Sequence, residues 1–416
     1  MSMRIMLSVL RRHSLMPALV LLQVALACAI LCNVLFLVWQ RLEPMLAPSG
    51  LAGNELILAD QVVSSQRPWT AAEVRAGKEA LRQVPGVRAV SATFGLPMVS
   101  GALMDVALQG PNGVKVGVNG YLGEGLVKTL GLQLVAGRDF LPVEYRDFGM
   151  GSGSVSTWDQ GVPQPVIITQ ALAYKLFDDD HVLGKVLTDP SDKKDHGYQV
   201  VGIVRHLLRN QLRLATDGRA DYTVLLARRI AATTMLSYAV RVDPGMREMA
   251  LRGVRAAIHR QFSVMMGPDS TARVSFYSER RAQAFKSQRA ALWLLVGVTL
   301  AVVIVTVIGI MGLTGFWVQK RTRQIGIRRA LGARRVDILR HFLAENLMIV
   351  GAGIVLGMLL AYLGNQLLMR YYELQHLPWM YLPLGAVVMM LLGQLAVLGP
   401  ALRAAAVPPV VATRSV

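Results

Sequence analysis

The stretch Lys320–Glu345, KRTRQIGIRRALGARRVDILRHFLAE, decides how this chain is organised. It holds eight Lys/Arg (Lys320, Arg321, Arg323, Arg328, Arg329, Arg334, Arg335, Arg340) against two acids, Asp337 and Glu345. Ile327, Ala330 and Leu331 recur at i, i+3 and i+4, the spacing of an apolar stripe on a short basic helix. Gly332 falls where such a helix takes a left-handed C-terminal residue. Val336, Leu339 and Phe342 then start a second helical pattern. A basic amphipathic loop suits either an anchor on lipid headgroups or, as the sharper reading, a docking surface for a cytoplasmic partner protein.

Working outward, the loop is flanked by two apolar runs, and two more lie near the ends of the chain. Each exceeds the ~20 residues that cross the hydrocarbon of a bilayer. The expected order is a cytoplasmic N-terminus (1–13), span one (14–40), a folded extracytoplasmic region with a helical stalk (41–289), span two (290–319) and the basic loop (320–345). Span three (346–369), a short external loop (370–377), span four (378–402) and a cytoplasmic tail (403–416) follow. Basic residues cluster at the N-terminus (Arg4, Arg11, Arg12), in the loop and in the tail (Arg403, Arg414). Between spans three and four there is only Arg370, offset by Glu373. The positive-inside rule therefore puts both termini and the loop in the cytoplasm, with residues 41–289 outside it. The first run is too long for a secretory signal peptide and reads as an uncleaved span.

Composition agrees with this class. The chain has 416 residues, is 53% apolar with mean hydropathy +0.42, and carries a net charge of +18. The excess of basic residues sits beside apolar spans without interleaved aromatics, which fits membrane topology better than nucleic acid. Its two cysteines, Cys28 and Cys32, share one face of span one and read as small packing groups. That leaves no Cys framework for a disulfide or zinc in the large domain. The span cores hold no Asp, Glu, Lys or Arg, whereas ion-coupled carriers place such groups at membrane depth. Small residues recur at helix-packing spacing: Gly353, Gly357 and Ala361 in span three, and Gly309, Gly312 and Gly315 in span two. Whether these faces pack within the chain or across a dimer is open at this level.

Nothing in the sequence points to catalysis. Gly77-Lys78 and Gly184-Lys185 lack the upstream glycine and following Ser/Thr of a phosphate-cradling loop. No His-Glu-x-x-His or Gly-x-Ser-x-Gly pattern occurs. Asp178-Asp179-Asp180-His181 has no EF-hand spacing and reads as a solvated turn. The chain is expected not to be an enzyme, with no cofactor, metal or catalytic residue of its own.

The extracytoplasmic region reads as mixed α and β. Strands are expected at Glu55–Val63, Val87–Phe94, Met104–Leu108, Val114–Val118, Val166–Ile168, Tyr198–Val204, near Tyr222–Leu226, at Leu236–Val242 and at Arg273–Tyr277. Thr70-Ala71-Ala72-Glu73 is a capping-box start for a helix to Val84. Pro111-Asn112-Gly113 is a hairpin turn. Further helices are expected at Leu122–Leu130, Gln170–Phe177 and Met246–Phe262. The Gly/Ser-rich Gly149–Gly161 segment reads as a mobile loop. A helix opening at Ser278 or Glu279 has no breaker before span two and is expected to run unbroken into the membrane.

The loop sequence Arg321-Thr322-Arg323-Gln324-Ile325-Gly326-Ile327-Arg328-Arg329-Ala330-Leu331-Gly332-Ala333 resembles the cytoplasmic coupling loop of MacB-like and FtsX-like ABC transporter permeases. Gln324 stands where that family usually has Glu. Val118-Asn119-Gly120-Tyr121, Gly137-Arg138-Asp139-Phe140 and Tyr198–Val204 resemble the family's extracytoplasmic domain, and Pro400–Ala405 its ending. The resemblance implies an α-helical membrane protein with four transmembrane helices plus a large mixed α/β extracytoplasmic domain between helices 1 and 2, the MacB-like, type VII ABC transporter fold.

It also implies that Arg323, Gln324, Ile325, Gly326, Ile327, Arg328, Arg329, Ala330, Leu331, Gly332 and Ala333 meet a cytoplasmic ABC ATPase subunit, which would bind the ATP and Mg. MacB carries a fused ATPase before its first span. Here 13 residues precede it, so the ATPase is expected on a separate polypeptide. The implied function is a permease subunit of an export or extraction complex working by mechanotransmission, with a peptide, antibiotic or other amphiphile as cargo. Implied partners are membrane lipid, a second copy or a sister permease and, as an open option, a periplasmic membrane-fusion protein. The alternatives are an FtsX-like regulator of a cell-wall hydrolase and a LolC/LolE-like lipoprotein-releasing permease.

Overall fold

The computed structural model describes residues 15–99, 104–149, 162–177, 182–190, 197–209, 219–267, 270–321, 324–325, 327, 331–372 and 377–406. The chain divides into a helical unit (1–43 and 288–416) and an α/β unit (44–287).

The helical unit is built from four helices whose composition lets them cross a membrane: α1 (Leu15–Leu46), α7 (Lys286–Lys320), α8 (Arg335–Tyr372) and α9 (Tyr381–Ala406). Half of α1's apolar stretch is buried in the unit but only 11% of α7's, so α1 is the packing centre and α7 the outlier. Glycines explain how α1 is admitted. A Cβ at Gly357 of α8 would lie 2.6 Å from the Ala25 carbonyl oxygen, and one at Gly353 would lie 3.0 Å from that of Leu21. Only glycine permits backbones this close. The small-residue face of span three therefore packs within the chain. In span two, Gly309 meets Gln23, whose amide donates to the Val305 carbonyl at 3.1 Å, whereas Gly312 and Gly315 face open space. Cys28 and Cys32 are fully buried, against Gly357 and Gly385 respectively, as small apolar groups.

Among the described residues the α/β unit has two sheets. One antiparallel part runs β3 (Val87–Phe94), β13 (Met235–Val242), β1 (Leu56–Val63), β14 (Arg273–Phe276). Central β1 is apolar on both faces. Ile57 and Ala59 join the core that includes α2 (Ala71–Arg82) and α5 (Arg247–Phe262), while Leu56 and Leu58 join the core around α3 (Leu126–Leu130). The capping box forms as expected: the Glu73 amide donates to Thr70 Oγ1, and Glu73 accepts from the Thr70 amide. Arg67 and the cap amide hold the Glu73 carboxylate at about 2, well below its usual range.

The same sheet continues into a closed ring: β5 (Lys115–Gly123), β4 (Asp105–Gln109), β9 (Val186–Thr188), β10 (Gly197–Val204), β8 (Gln164–Thr169) and β11 (Thr223–Leu226), which returns to β5. β6 (Leu134–Gly137) also pairs with β10, and α4 (Gln170–Phe177) follows β8. A small second sheet joins β2 (Trp69–Thr70), β12 (Arg228–Thr233) and β7 (Arg146–Gly149).

Two expectations are corrected. Leu122 belongs to β5, opposite Phe94 and Leu226, and Gly125 at φ +73 delays the helix until Leu126. The approach to span two is also not one helix: α6 (Tyr277–Ala284) ends at buried Phe285, whose φ −91 and ψ 4 break the ladder before α7. The Gly149–Gly161 loop lies, beyond Gly149, outside the described residues, as does Asp178–His181.

The first and last elements of the α/β unit are tied by adjacent arginines. Buried Arg280 on α6 donates to the carboxylate of buried Asp60 on β1 and to the Arg273 carbonyl at 3.1 Å. Burial pushes the Asp60 carboxyl up and the Arg280 guanidinium down, each opposed by the partner's charge. Arg281 donates to the carbonyls of Met45 (3.1 Å) and Ala47 (2.7 Å), where the chain leaves α1.

Candidate functional site

The candidate site grows from the C-terminal end of α7. Phe316 and Trp317 precede two cations, Lys320 and Arg321, one turn on. Lys320 Nζ lies 4.8 Å from the Phe316 ring centre, and the Arg321 guanidinium carbon 4.4 Å from that of Trp317. Both distances suit cation–π attraction. Arg321 Nη1 donates to both carboxylate oxygens of Glu345 at 3.0 Å. The Glu345 side chain is 5% exposed and that of Arg321 19%.

Arg321 also starts the loop. The Ile325 amide donates to its carbonyl at 3.0 Å, giving a helical turn. Ile325 points inward and joins the buried cluster that contains Ile338 and Phe342, while Gln324 and Ile327 are exposed. The Leu331 amide donates to the Ile327 carbonyl at 3.0 Å, so these two residues are one helical turn apart. Leu331 is 84% exposed and Ile327 47%, an uncovered apolar pair. Gly332 then takes φ +96, the left-handed residue expected there. Asp337 accepts from the Arg334 amide at 3.0 Å, capping α8 with an acid at its positive end. Between the loop turn and α8 lies a cleft of about 140 Å³ lined by Gln324, Ile325, Ala333, Asp337, Ile338 and His341 among others.

Of the residues expected to meet a partner, the structure brings Gln324, Ile325, Ile327, Leu331, Gly332 and Ala333 together around α8's start. Arg323, Gly326, Arg328, Arg329 and Ala330 lie outside the described residues. Ile325 differs from the others in facing inward as a packing residue. The sequence reading missed the pairing of Arg321 with Glu345. Its one visible signal was an acid standing immediately before a 24-residue uncharged run.

The other sequence candidates have structural roles. Gly77 lies inside α2, where an added Cβ would be 2.4 Å from both the Phe262 ring and the Tyr238 hydroxyl. Lys78 pairs with Glu124 at 2.9 Å. Among the described residues no group of three or more His, Cys, Asp or Glu is placed to hold a metal.

Comparison with known proteins bears on the same region. Residues 296–409 match the family model for the FtsX-like permease C-terminal region. The chain is 30% identical over 210 residues to the macrolide export ATP-binding/permease protein MacB of Agrobacterium fabrum, covering 48% of this chain and 30% of that one. It is 31% identical over 222 residues to MacB 1 of Aeromonas hydrophila, covering 51% and 33%. With MacB of Bordetella avium it shares 34% over 141 residues, covering 34% and 21%. The matched part thus spans a third or less of these relatives' length. The periplasmic region of MacB from Actinobacillus actinomycetemcomitans superposes with a TM-score of only 0.34 at 12% identity, covering 57% of this chain and 96% of that one. With four membrane-length helices and an α/β domain between the first and second, the chain carries an FtsX-like permease C-terminal region and is similar to MacB over about half of its own length.

Proposed function

We propose that the chain is the membrane subunit of an ATP-driven export or extraction complex, with its loop 320–345 in the cytoplasm as the handle of a separate ABC ATPase. The carrying observation is the uncovered Ile327–Leu331 pair on a basic loop anchored from beneath by Ile325 and Arg321. An exposed apolar turn followed in sequence by exposed Arg334, Arg335 and Arg340 has the composition of a docking face, which combines apolar contacts with charged ones. ATP and Mg would reside on the ATPase. Its closure would press on the loop, and the helices flanking the α/β domain would pass the movement outward to a peptide, antibiotic or other amphiphile. Two ATPase sites call for two permease chains, either identical or sister copies. The charge count supports the orientation, and the family match supports the inner membrane of a bacterium.

The test is purification of the chain from native membranes with its associated proteins. Wild type is expected to carry an ABC ATPase, and Leu331→Asp to lose at least about 90% of it while staying in the membrane, because a charge replaces a central apolar contact. Undiminished ATPase recovery with Leu331→Asp would overturn the docking assignment. A complex whose ATP hydrolysis responds only to a cell-wall hydrolase, with no export defect on deletion, would replace transport by the regulatory reading.

A further inference from the structure

We infer that Arg321 and Glu345 form a latch that makes the loop turn and the start of α8 move as one body. The inference rests on the reading of the loop as the face a motor presses. Three features of the geometry carry it.

First, Arg321 is bound in two directions. Its carbonyl accepts from the Ile325 amide and so begins the loop turn, while its guanidinium is held by Glu345, 24 residues further along on α8. Any displacement of Ile327 and Leu331 relative to α7 passes through this residue. Second, the pair is shielded. Trp317 stacks on the guanidinium and Glu345 is almost wholly covered, so water cannot easily replace either partner. A surface pair would exchange with solvent and transmit little. Third, the next residue carries the connection onward. Buried Asn346 donates from Nδ2 to the Gly393 carbonyl of α9 at 3.1 Å. Neighbouring residues on a helix point about 100° apart. A single turn of α8 therefore holds the loop's root with one side chain and α9 with the next.

Arg321 and Glu345 are positioning residues, acting through α8 rather than on cargo or nucleotide. The test uses hydrogen exchange of the full chain in phosphatidylethanolamine/phosphatidylglycerol nanodiscs, alone and with its co-purified ATPase. In the chain alone, Glu345→Gln is expected to speed exchange of the Ile325 and Leu331 amides about ten-fold, leaving α9 unchanged. Arg321→Lys keeps the charge but loses the planar stack, and is expected to act in the same direction. In the complex, ATP should alter exchange along residues 345–355 of wild type, and Glu345→Gln should abolish that response while the ATPase stays bound. A residue of purely structural importance would not separate binding from response. Unchanged loop exchange in both variants, or a full ATP response in Glu345→Gln, would overturn the latch. If wild type carries no ATPase, the docking reading fails, while the experiment on the chain alone still decides whether the latch exists.

Discussion

The root of the α/β domain and the root of the loop are both held by an arginine on a buried acid, yet they differ in what lies around them. At Asp60–Arg280 the side chains are 3% and 5% exposed, and Arg281 closes the same region onto the Met45 and Ala47 carbonyls. At Arg321–Glu345 the pair is nearly as deep, but Leu331, ten residues further on, is 84% exposed. The first arrangement is finished within the chain. The second has a buried base and an apolar pair, Ile327 and Leu331, that is exposed among the described residues. A buried ion pair by itself marks only a place where geometry is held; under the proposed docking, the exposed apolar turn beside one of them makes it a handle rather than a lock.

Substitutions separate the two cases. The largest loss of stability is expected for Asp60→Ala, which strands a buried guanidinium and should cost about 3–5 kcal/mol, read from the unfolding of the solubilised protein. An unfolding midpoint like that of wild type would remove the locked root from the comparison. Gly77→Ala comes next. Alanine favours a helix by about 1 kcal/mol, but its methyl would press on buried Phe262 and Tyr238, so a net loss toward the low end of the ~1–3 kcal/mol of overpacking is expected. Thr70→Ala removes the cap of α2 and should cost about 1 kcal/mol.

The cap also has a pH signature. The folded Glu73 pKa, at about 2, lies below its ordinary 4.5. Its contribution is therefore full above that ordinary value and is lost as pH falls toward about 2. Glu73→Gln should be less stable than wild type at neutral pH and converge with it near pH 2; a constant gap would contradict this origin. Smallest of all is the expected stability change for Leu331→Asp, within about 0.5 kcal/mol because the side chain is 84% exposed. That near-silence, together with loss of the ATPase, would sharpen the contrast most.

Much of this was legible before any coordinates. Periodicity and length marked the four spans, the capping box placed the start of α2, and Gly332 announced its left-handed turn. These features are local, so residue types alone carry them. What was not legible depends on partners distant in sequence. The ring closed by β11 on β5 needs strands a hundred residues apart. The short strand β12 shows no clean alternation because it joins a small sheet edged by β2 and β7. The expected unbroken helix into span two ignored Phe285, which leaves the helical path to bury its ring. At the site, the exposed stripe was readable from spacing. The inward turn of Ile325 and the pairing of Arg321 with Glu345 were not, since both depend on where α8 lies.

The most direct test of the loop as a motor's handle is photo-crosslinking from residue 331 of the otherwise intact chain in native membranes, with residue 264, equally exposed on the α/β domain, as the control. The account predicts a crosslink from 331 to a nucleotide-binding ABC ATPase and none to that protein from 264. Crosslinks from 331 to lipid alone, or to the ATPase from 264 instead, would contradict it.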